Sequence, residues 1–180
     1  MSKFELAERQ ILDLYEKGSE DKALSLMLDV FQQPLYRHVK SIVLSHDDAN
    51  DVLQIVWTKA WKGLSSFKGD SKLYSWLYRI ASNECFTHLK KSKSKYFSNL
   101  DEGHINLKAS SIGPSSDEIL DKLEKALSTL PEKQRAVFDL KYFEDLKYDQ
   151  ISEILGTSVG GLKASYHHAV KKIEEFLKFN

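Results

Sequence analysis

Aromatic, cationic and hydrogen-bonding side chains share one side of a helix predicted to run from about residue 71 to residue 91. At about 100° per residue they fill a sector of roughly 100° of the helix. The sector holds Lys72, Trp76, Arg79, Asn83, Phe86, Thr87 and Lys90. Rings that stack on unpaired bases, beside cations that neutralise phosphates, are typical of single-stranded nucleic-acid binding. The alternative is that the two rings only cover a hydrophobic core and the cations only favour solubility.

A second set of candidate DNA-binding residues lies near the C-terminus, in a predicted helix-turn-helix. Apolar spacing predicts a helix over residues 148–155, which Gly156 ends because glycine accepts the left-handed C-cap conformation. Thr157 or Ser158 is expected to cap the next helix. Its outward face is small, polar and basic: Gly160, Gly161, Ala164, Ser165, His168, Lys171 and Lys172. Two short helices of this kind favour duplex DNA binding, with an ordinary helical hairpin as the alternative.

The charge of the chain is balanced in total but unevenly distributed. Lysine plus arginine and aspartate plus glutamate number 26 each in 180 residues. Residues 59–95 hold nine basic residues against two acidic ones, whereas residues 1–58 hold six against ten. A basic middle and an acidic front suit a protein that contacts a polyanion and a basic partner on separate surfaces. Ordinary solvated faces would give similar runs.

The sequence offers few groups for catalysis or metal binding. Cys85 is the only cysteine, and the six histidines show no ligand spacing, so we expect no disulfide, metal or cofactor. Gly-rich phosphate loops, H-E-x-x-H and nucleophile–base arrangements are missing, so we expect neither an enzyme nor a small-molecule substrate. No apolar run reaches the length of a signal or membrane helix, which predicts a cytoplasmic protein without membrane insertion.

Helical periodicity and the low glycine and proline content predict an all-α chain. Periodicity fails after residue 91, and Ser, Lys, Asn and Gly dominate as far as residue 116. So long a stretch is typical of a boundary between domains. We therefore predict two small helical domains, residues 1–94 and 117–180, joined by a flexible linker over residues 95–116.

Turn and capping residues set the expected ends of the N-terminal helices. Pro34 is expected to interrupt the second helix or to open a continuation of it. Asp47 or Asp48 is expected to cap the third helix, which runs to about residue 61. After the loop over residues 63–71, Asp70 or Ser71 is expected to cap a long helix ending near residue 91. That helix carries two apolar stripes and should therefore be packed on two sides: Leu73, Leu77, Ile80 and Ala81 in one, and Tyr74, Tyr78, Cys85 and Leu89 in the other.

Two long stretches resemble conserved regions of the extracytoplasmic-function sigma factors. DANDVLQIVWTKAWKGLSSFKGDSKLYSWLYRIASNECFTHLKK, residues 48–91, resembles their second region. LSTLPEKQRAVFDLKYFEDLKYDQISEILGTSVGGLKASYHHAVKKI, residues 127–173, is similar to their fourth region. The resemblance covers nearly the whole chain, in the order that the family has. It implies a dissociable initiation subunit of bacterial RNA polymerase.

The resemblance also implies partners and site residues. The N-terminal domain would bind the β′ coiled coil of the core polymerase and melt the minus-ten element; the C-terminal domain would bind the β flap and read the minus-thirty-five element. Core contacts would be Asp48, Asp51, Gln54 and Ile55. Minus-ten contacts would be Ser66, Phe67, Lys68, Gly69, Asp70, Lys72, Trp76, Arg79, Asn83, Thr87 and Lys90. Minus-thirty-five contacts would be Thr157, Ser158, Gly160, Gly161, Lys163, Ala164, Ser165, His167, His168 and Lys171. An anti-sigma factor is a further expected partner.

This chain departs from the family pattern at several of these positions. Ile55 stands where glutamate is usual, and Thr87 and Lys90 stand where aspartate and arginine are common. In the recognition helix, Gly161 replaces threonine, and Ser165 and His168 replace two arginines. Because arginine is the strongest reader of guanine edges and phosphates, we expect weaker electrostatic affinity and altered base preference.

Two other functions are compatible with part of the sequence. One is a helix-turn-helix regulator that binds duplex DNA without the polymerase; it would have no need of the aromatic–basic sector and its preceding loop. The other is a sigma-like interaction module that has lost initiation. Its support is Ile55 and the missing recognition-helix arginines.

Overall fold

The computed structural model of the chain describes residues 3–99 and 118–179, and every regular element among them is helical. The predicted all-α class is confirmed. The α-helices are α1 Lys3–Glu16, α2 Glu20–Val43, α3 His46–Leu64, α4 Leu73–Asn99, α5 Glu118–Ser128, α6 Glu132–Phe138, α7 Tyr148–Leu155 and α8 Val159–Phe179, with a π-helical turn Asp139–Phe143 after α6. None of the described helices is both long and apolar enough to span a membrane.

Helices α1 to α4 enclose a core of aliphatic and aromatic side chains. Met27, Phe31 and Leu35 of α2 are fully buried, as are Val56 of α3 and Leu77 of α4. Pro34 lies inside α2 without ending it, so the expected interruption is wrong. The apolar residues on both sides of Pro34 point into one core, and their burial holds the helix together despite the missing backbone donor.

The caps of α3 and α4 differ from the predicted ones. Ser45, rather than Asp47 or Asp48, caps α3, and its side chain accepts a hydrogen bond from the backbone N–H of Asp48. At the start of α4, the backbone N–H of Leu73 donates to the Glu8 carboxylate of α1, at 3.0 Å. A carboxylate from a distant helix therefore takes the place expected for Asp70 or Ser71.

Helix α4 is packed on two sides, as its two apolar stripes predict. Leu73, Leu77 and Ala81 are fully buried, and so is Cys85 of the other stripe. The helix continues to Asn99, eight residues past the predicted end. No glycine or proline interrupts residues 92–99, so nothing in the local sequence stops the helix there. Of the predicted linker, residues 100–116 lie outside the described residues.

The helix-turn-helix is formed by α7 and α8. Gly156 has φ +63°, the left-handed conformation expected of the residue that ends α7. Ser158 caps α8 by accepting the backbone N–H of Gly161 at 3.3 Å. Ile151 and Ile154 of α7 and Leu162 of α8 are buried. The small and basic face of α8 is thereby turned outward.

The C-terminal helices pack directly on the N-terminal ones. Helices α6 and α7 lie against α2 and α4, and Leu140, Ile151 and Ile154 join the same buried cluster as the core of α1–α4. A second cluster forms between α5, α6 and α8 around Ala126, Phe138 and Ala169. The second apolar stripe of α4, with Tyr74 and Tyr78, explains this contact, because it supplies a second buried face on one helix.

Candidate nucleic-acid interface

The open sector of α4 lies beside the loop that precedes the helix. Lys72, Arg79, Asn83, Thr87 and Lys90 are exposed, and Trp76 and Phe86 are half-buried. In the loop, Ser66, Lys68, Gly69 and Asp70 are exposed and only Phe67 is partly covered. The structure therefore brings the predicted minus-ten residues onto one accessible surface, which we call the strand surface.

Trp76 occupies the centre of the strand surface. Its ring lies 5.3 Å from the Phe67 ring, between centroids, at an interplanar angle of 53°. A Cβ atom built on Gly63 would come within 2.9 Å of the indole Cζ2, so glycine leaves the space that the indole edge fills. The indole is thus held by two neighbours while part of it remains accessible for stacking.

The loop before α4 is shaped by short-range hydrogen bonds. The Ser66 hydroxyl donates to the Gly63 carbonyl at 2.9 Å, and the backbone N–H of Phe67 donates to the Leu64 carbonyl. Gly69 has φ +75°, a backbone conformation that residues other than glycine rarely adopt. The loop therefore turns tightly out of α3 and presents its polar residues beside α4.

Two cations of the strand surface contact other helices of the chain. Lys72 lies 3.7 Å from the Glu5 carboxylate of α1. The Arg79 Nε donates to the backbone carbonyl of Glu153 in α7 at 2.9 Å. Nearby, the side chains of Gln150 in α7 and Tyr74 in α4 are hydrogen-bonded to each other. Helix α7 therefore borders the strand surface on the Arg79 side.

The outward face of α8 carries most of the predicted minus-thirty-five residues. Thr157, Ser158, Gly160, Lys163, Ala164, His167, His168 and Lys171 are exposed, and Gly161 and Ser165 are half-exposed. The Lys163 ammonium lies 5.8 Å from the centre of the Tyr148 ring, and Lys171 lies 4.0 Å from the Glu175 carboxylate. Both ammonium groups remain accessible to a phosphate. This surface, hereafter the duplex face, is open to solvent.

The predicted polymerase contacts lie on the outer side of α3. Asp51, Gln54 and Ile55 are exposed, Ile55 by 45% of its surface. Asp48 is partly covered, and its carboxylate lies 3.1 Å from the His88 imidazole of α4. An exposed isoleucine between acidic and amide side chains suits a protein partner better than a nucleic acid.

A polar cluster between the two halves of the chain had no counterpart in the sequence interpretation. We call it the polar clasp; it comprises Arg37, His38, Ser82, Asp139 and Glu144. The two ring nitrogens of His38 lie 2.7 Å from the Asp139 carboxylate and 2.9 Å from the Ser82 hydroxyl. The Arg37 guanidinium donates to Glu144 at 3.0 Å. A local signal existed, since His38 lies on the apolar face of α2 between Leu35 and Ile42, and Asp139 interrupts the apolar run 136–140.

Burial changes the acidity of several groups near this contact. It raises the pKa of the Glu144 carboxyl and of the Tyr78 phenol above their ordinary values. It also raises the pKa of the Cys85 thiol to about 12. Among the residues that the structure describes, no three His, Cys, Asp or Glu side chains are arranged to hold a metal ion.

Two family models match the chain. The model described as sigma-70 region 2 matches residues 27–95, and sigma-70, region 4 matches residues 120–173. The first includes α3, the loop and α4; the second includes the helix-turn-helix. The chain belongs to the extracytoplasmic-function sigma factors. As such it directs core RNA polymerase to promoters and assists DNA melting.

Relatives of known identity match along almost the full length. The RNA polymerase sigma-H factor of Pseudomonas aeruginosa is 26% identical over 95% of this chain and 94% of its own. The ECF RNA polymerase sigma factor SigW of Bacillus subtilis is 27% identical, over 91% and 92%. The ECF RNA polymerase sigma-E factor of Escherichia coli K12 is 29% identical, over 94% of each chain.

Two solved structures share the arrangement of helices. The sigma factor RpoE, solved with the anti-sigma factor NepR from Bartonella quintana, is 26% identical, with TM-score 0.72 over 87% of this chain and 98% of its own. CnrH, solved with the cytosolic domain of CnrY, has TM-score 0.70 over 97% and 99%. Since CnrH is only 19% identical, its likeness concerns the fold alone.

Proposed function

We propose that this sigma factor divides promoter recognition between the strand surface of α4 and the duplex face of α8. The observation that carries the proposal is that one chain exposes both surfaces. In keeping with the expected domains, residues 1–94 would recognise the minus-ten element and residues 117–180 the minus-thirty-five element, with residues 95–116 as the linker.

The residues of the strand surface have different proposed roles in DNA binding. The accessible part of the Trp76 ring stacks on an unpaired base, which contributes about 1–3 kcal/mol in other single-strand binders. Lys72, Arg79 and Lys90 neutralise phosphates, while Asn83 and Thr87 supply hydrogen bonds. Residues Ser66–Asp70 form the pocket for a flipped base. All of these groups are exposed except the aromatic rings, which are half-buried, and this exposure supports the assignment.

On the duplex face, α8 enters the major groove with its N-terminal half. The small side chains at Gly160, Gly161 and Ala164 let the helix backbone approach the base edges. Lys163, Lys171, His167 and His168 then lie within reach of phosphates and bases. Because arginine is missing at Ser165 and His168, this face relies less on bidentate contacts than the family pattern does.

The outer side of α3 is the proposed contact with the β′ coiled coil, through Asp51, Gln54 and Ile55, with Asp48 beside them. The C-terminal helices would contact the β flap. An anti-sigma factor is a further proposed partner, as NepR and CnrY are for the solved neighbours. The chain would act by binding alone, without catalysis. It would work in the cytoplasm, where its polymerase partner is found.

Run-off transcription tests the proposed function. Core RNA polymerase mixed with the chain should initiate at discrete positions on a library of randomised promoter fragments, and core alone should not. Selected fragments should share two elements, one per DNA surface. If the chain fails to bind core yet protects duplex DNA by itself, it is a helix-turn-helix regulator and the proposal is wrong.

A further inference from the structure

The cations of the duplex face differ in what lies beside them before DNA binds. The Lys163 ammonium lies over the ring of Tyr148, 5.8 Å from its centre. The Lys171 ammonium lies instead 4.0 Å from the Glu175 carboxylate on the same helix. Tyr148 is the first residue of α7, and the electron-rich face of its ring attracts a cation. One cation of the recognition helix is therefore held by the other helix of the helix-turn-helix.

The Tyr148 ring is fixed by contacts that do not involve Lys163. It is half-buried against the main apolar cluster of the chain and meets the Tyr166 ring edge-on, at 6.5 Å between centroids and 76°. A second ammonium, that of Lys141, lies 5.5 Å from the ring centre and donates to the Leu146 carbonyl at 3.1 Å. The ring is thus a rigid support, and the exposed Lys163 side chain is the partner that is free to move.

The composition of α8 gives this contact its importance. Lys163 is the only lysine or arginine between Val159 and Val170, the half of the helix that we assign to the major groove. A free lysine side chain loses much rotamer freedom when it binds, and a side chain that is already ordered loses less. The ring occupies one side of the ammonium group, so the N–H groups on the exposed side remain available to DNA.

We propose that Tyr148 is a positioning residue for duplex recognition, whose ring holds the Lys163 ammonium in the orientation that contacts DNA. Tyr148 acts through Lys163 and makes no DNA contact of its own. The ring is therefore required and the hydroxyl is not. This inference rests on the proposed assignment of the duplex face to α8.

A double-mutant cycle tests the proposal. Binding of the chain to a fluorescein-labelled pool of random-sequence duplexes is measured by fluorescence anisotropy at low salt. Tyr148→Leu should lower the affinity about two- to fivefold, the range expected for an exposed cation–π contact, and Lys163→Ala should lower it at least as much. In the Lys163→Ala background, Tyr148→Leu should have no further effect, because no ammonium is left to position.

Two further variants separate this role from other roles of the ring. Lys171→Ala is the matched control, since it removes the same charge from the same face at a site where the neighbour is a carboxylate. Its loss of affinity should multiply with that of Tyr148→Leu. Tyr148→Phe keeps the ring without the hydroxyl and should retain the duplex affinity. If phenylalanine binds as poorly as leucine, the hydroxyl contacts DNA directly and the proposal is wrong.

A measurement on the unaltered sequence does not depend on the folding of the leucine variant. In a chain labelled with ¹³C-lysine, the ring current of Tyr148 should shift the Hε protons of Lys163 upfield of those of Lys171. Lys163→Ala identifies the shifted signal, and Tyr148→Phe should preserve the shift. The shift should also persist when the duplex pool is added. Without an upfield signal in the free chain, the ammonium is not held over the ring and the proposal fails.

The outcomes separate this inference from the proposed function. If the losses from Tyr148→Leu and Lys163→Ala multiply, Tyr148 does not act through Lys163, and the function remains intact. Coupling to Lys171→Ala as strong as coupling to Lys163→Ala would also overturn the proposal, since Tyr148 would then act through the whole helix. If neither lysine variant alters duplex binding and the chain does not associate with core polymerase, the proposed function fails, and this inference fails with it.

Discussion

The two candidate DNA surfaces of this sigma factor differ in how far the rest of the chain constrains them. On the strand surface, Trp76 is held by Phe67 and Gly63, Lys72 lies beside Glu5, and Arg79 is bound to α7. On the duplex face, the side chains of α8 project into solvent with only weak contacts inside the fold.

The difference corresponds to different tasks. Unpaired bases are flexible, so a surface that captures them gains from rings held in place before binding, which lowers the entropy cost of ordering them. Duplex DNA is rigid, and a helix entering its major groove needs an open face of small residues. The comparison therefore predicts that changes at the two surfaces affect separate steps of initiation.

Trp76→Ala should have the largest effect, on DNA opening. Loss of the indole removes stacking of about 1–3 kcal/mol, so open-complex formation should fall roughly 10- to 100-fold. Closed-complex formation, which depends on the duplex face, should change little. Permanganate reactivity of unpaired thymines measures the first and gel retardation at low temperature the second. Trp76→Phe, which keeps a ring, should recover part of the activity. Equal losses in both assays would mean that the ring is only structural.

His168→Arg should have the next largest effect, on duplex binding. The side chain is exposed on α8, and arginine would add one phosphate or base contact. We expect duplex affinity to rise about three- to tenfold and the slope of log K against log salt to steepen by about 0.9. Titrations at several salt concentrations measure both. Gln10→Arg on α1 adds the same charge outside α8 as a control. An equal gain from it would assign the effect to overall charge.

Gly63→Ala and Gly160→Ala form a matched pair for the smaller effects. Both glycines lie within helices, so alanine should favour each helix by up to about 1 kcal/mol. At Gly63 the new Cβ approaches the Trp76 indole at 2.9 Å, whereas at Gly160 nothing lies within 4 Å inside the chain. Open-complex formation should fall about two- to fivefold for Gly63→Ala, since a displaced ring loses part of its stacking. Gly160→Ala should change duplex binding and should leave open-complex formation unaltered.

Thermal unfolding provides the check on this pair. If Gly63→Ala lowers the melting temperature along with DNA opening, the indole is a core residue rather than a positioned ring. If Gly160→Ala impairs opening as much as Gly63→Ala does, the two surfaces are not independent.

The sequence was sufficient to predict the features that depend on residues close together in the chain. The two stripes of α4, the turn at Gly156 and the cap at Ser158 follow from helical periodicity and local backbone chemistry, and all are present. The exposure of the α4 sector also follows, because a helix with two buried stripes has one remaining face. The assignment of individual residues to promoter elements stays a prediction.

Contacts between distant residues were not predictable. His38 reaches Asp139 across 101 positions and Ser82 across 44, and the Glu8 cap of α4 spans 65. Periodicity shows that such residues lie on buried faces, but it cannot pair them. The two-sided packing of α4 was expected, whereas the identity of its second neighbour, α7, required the fold. The end of α4 at Asn99 was not predicted. The residues just before it have the composition of a loop, but none of them is a helix breaker.

The smallest effect concerns Cys85, on the stripe of α4 that faces away from the strand surface. Its thiol is fully buried, and burial raises its pKa to about 12, so almost no thiolate is present at neutral pH. Since the thiolate is the reactive form, a disulfide reagent at pH 8 should leave the native chain unmodified and should label one thiol per chain in denaturant. Rapid labelling of the native protein would instead show that α4 opens on one side by itself, and the constrained strand surface would then not be a stable feature of the free chain.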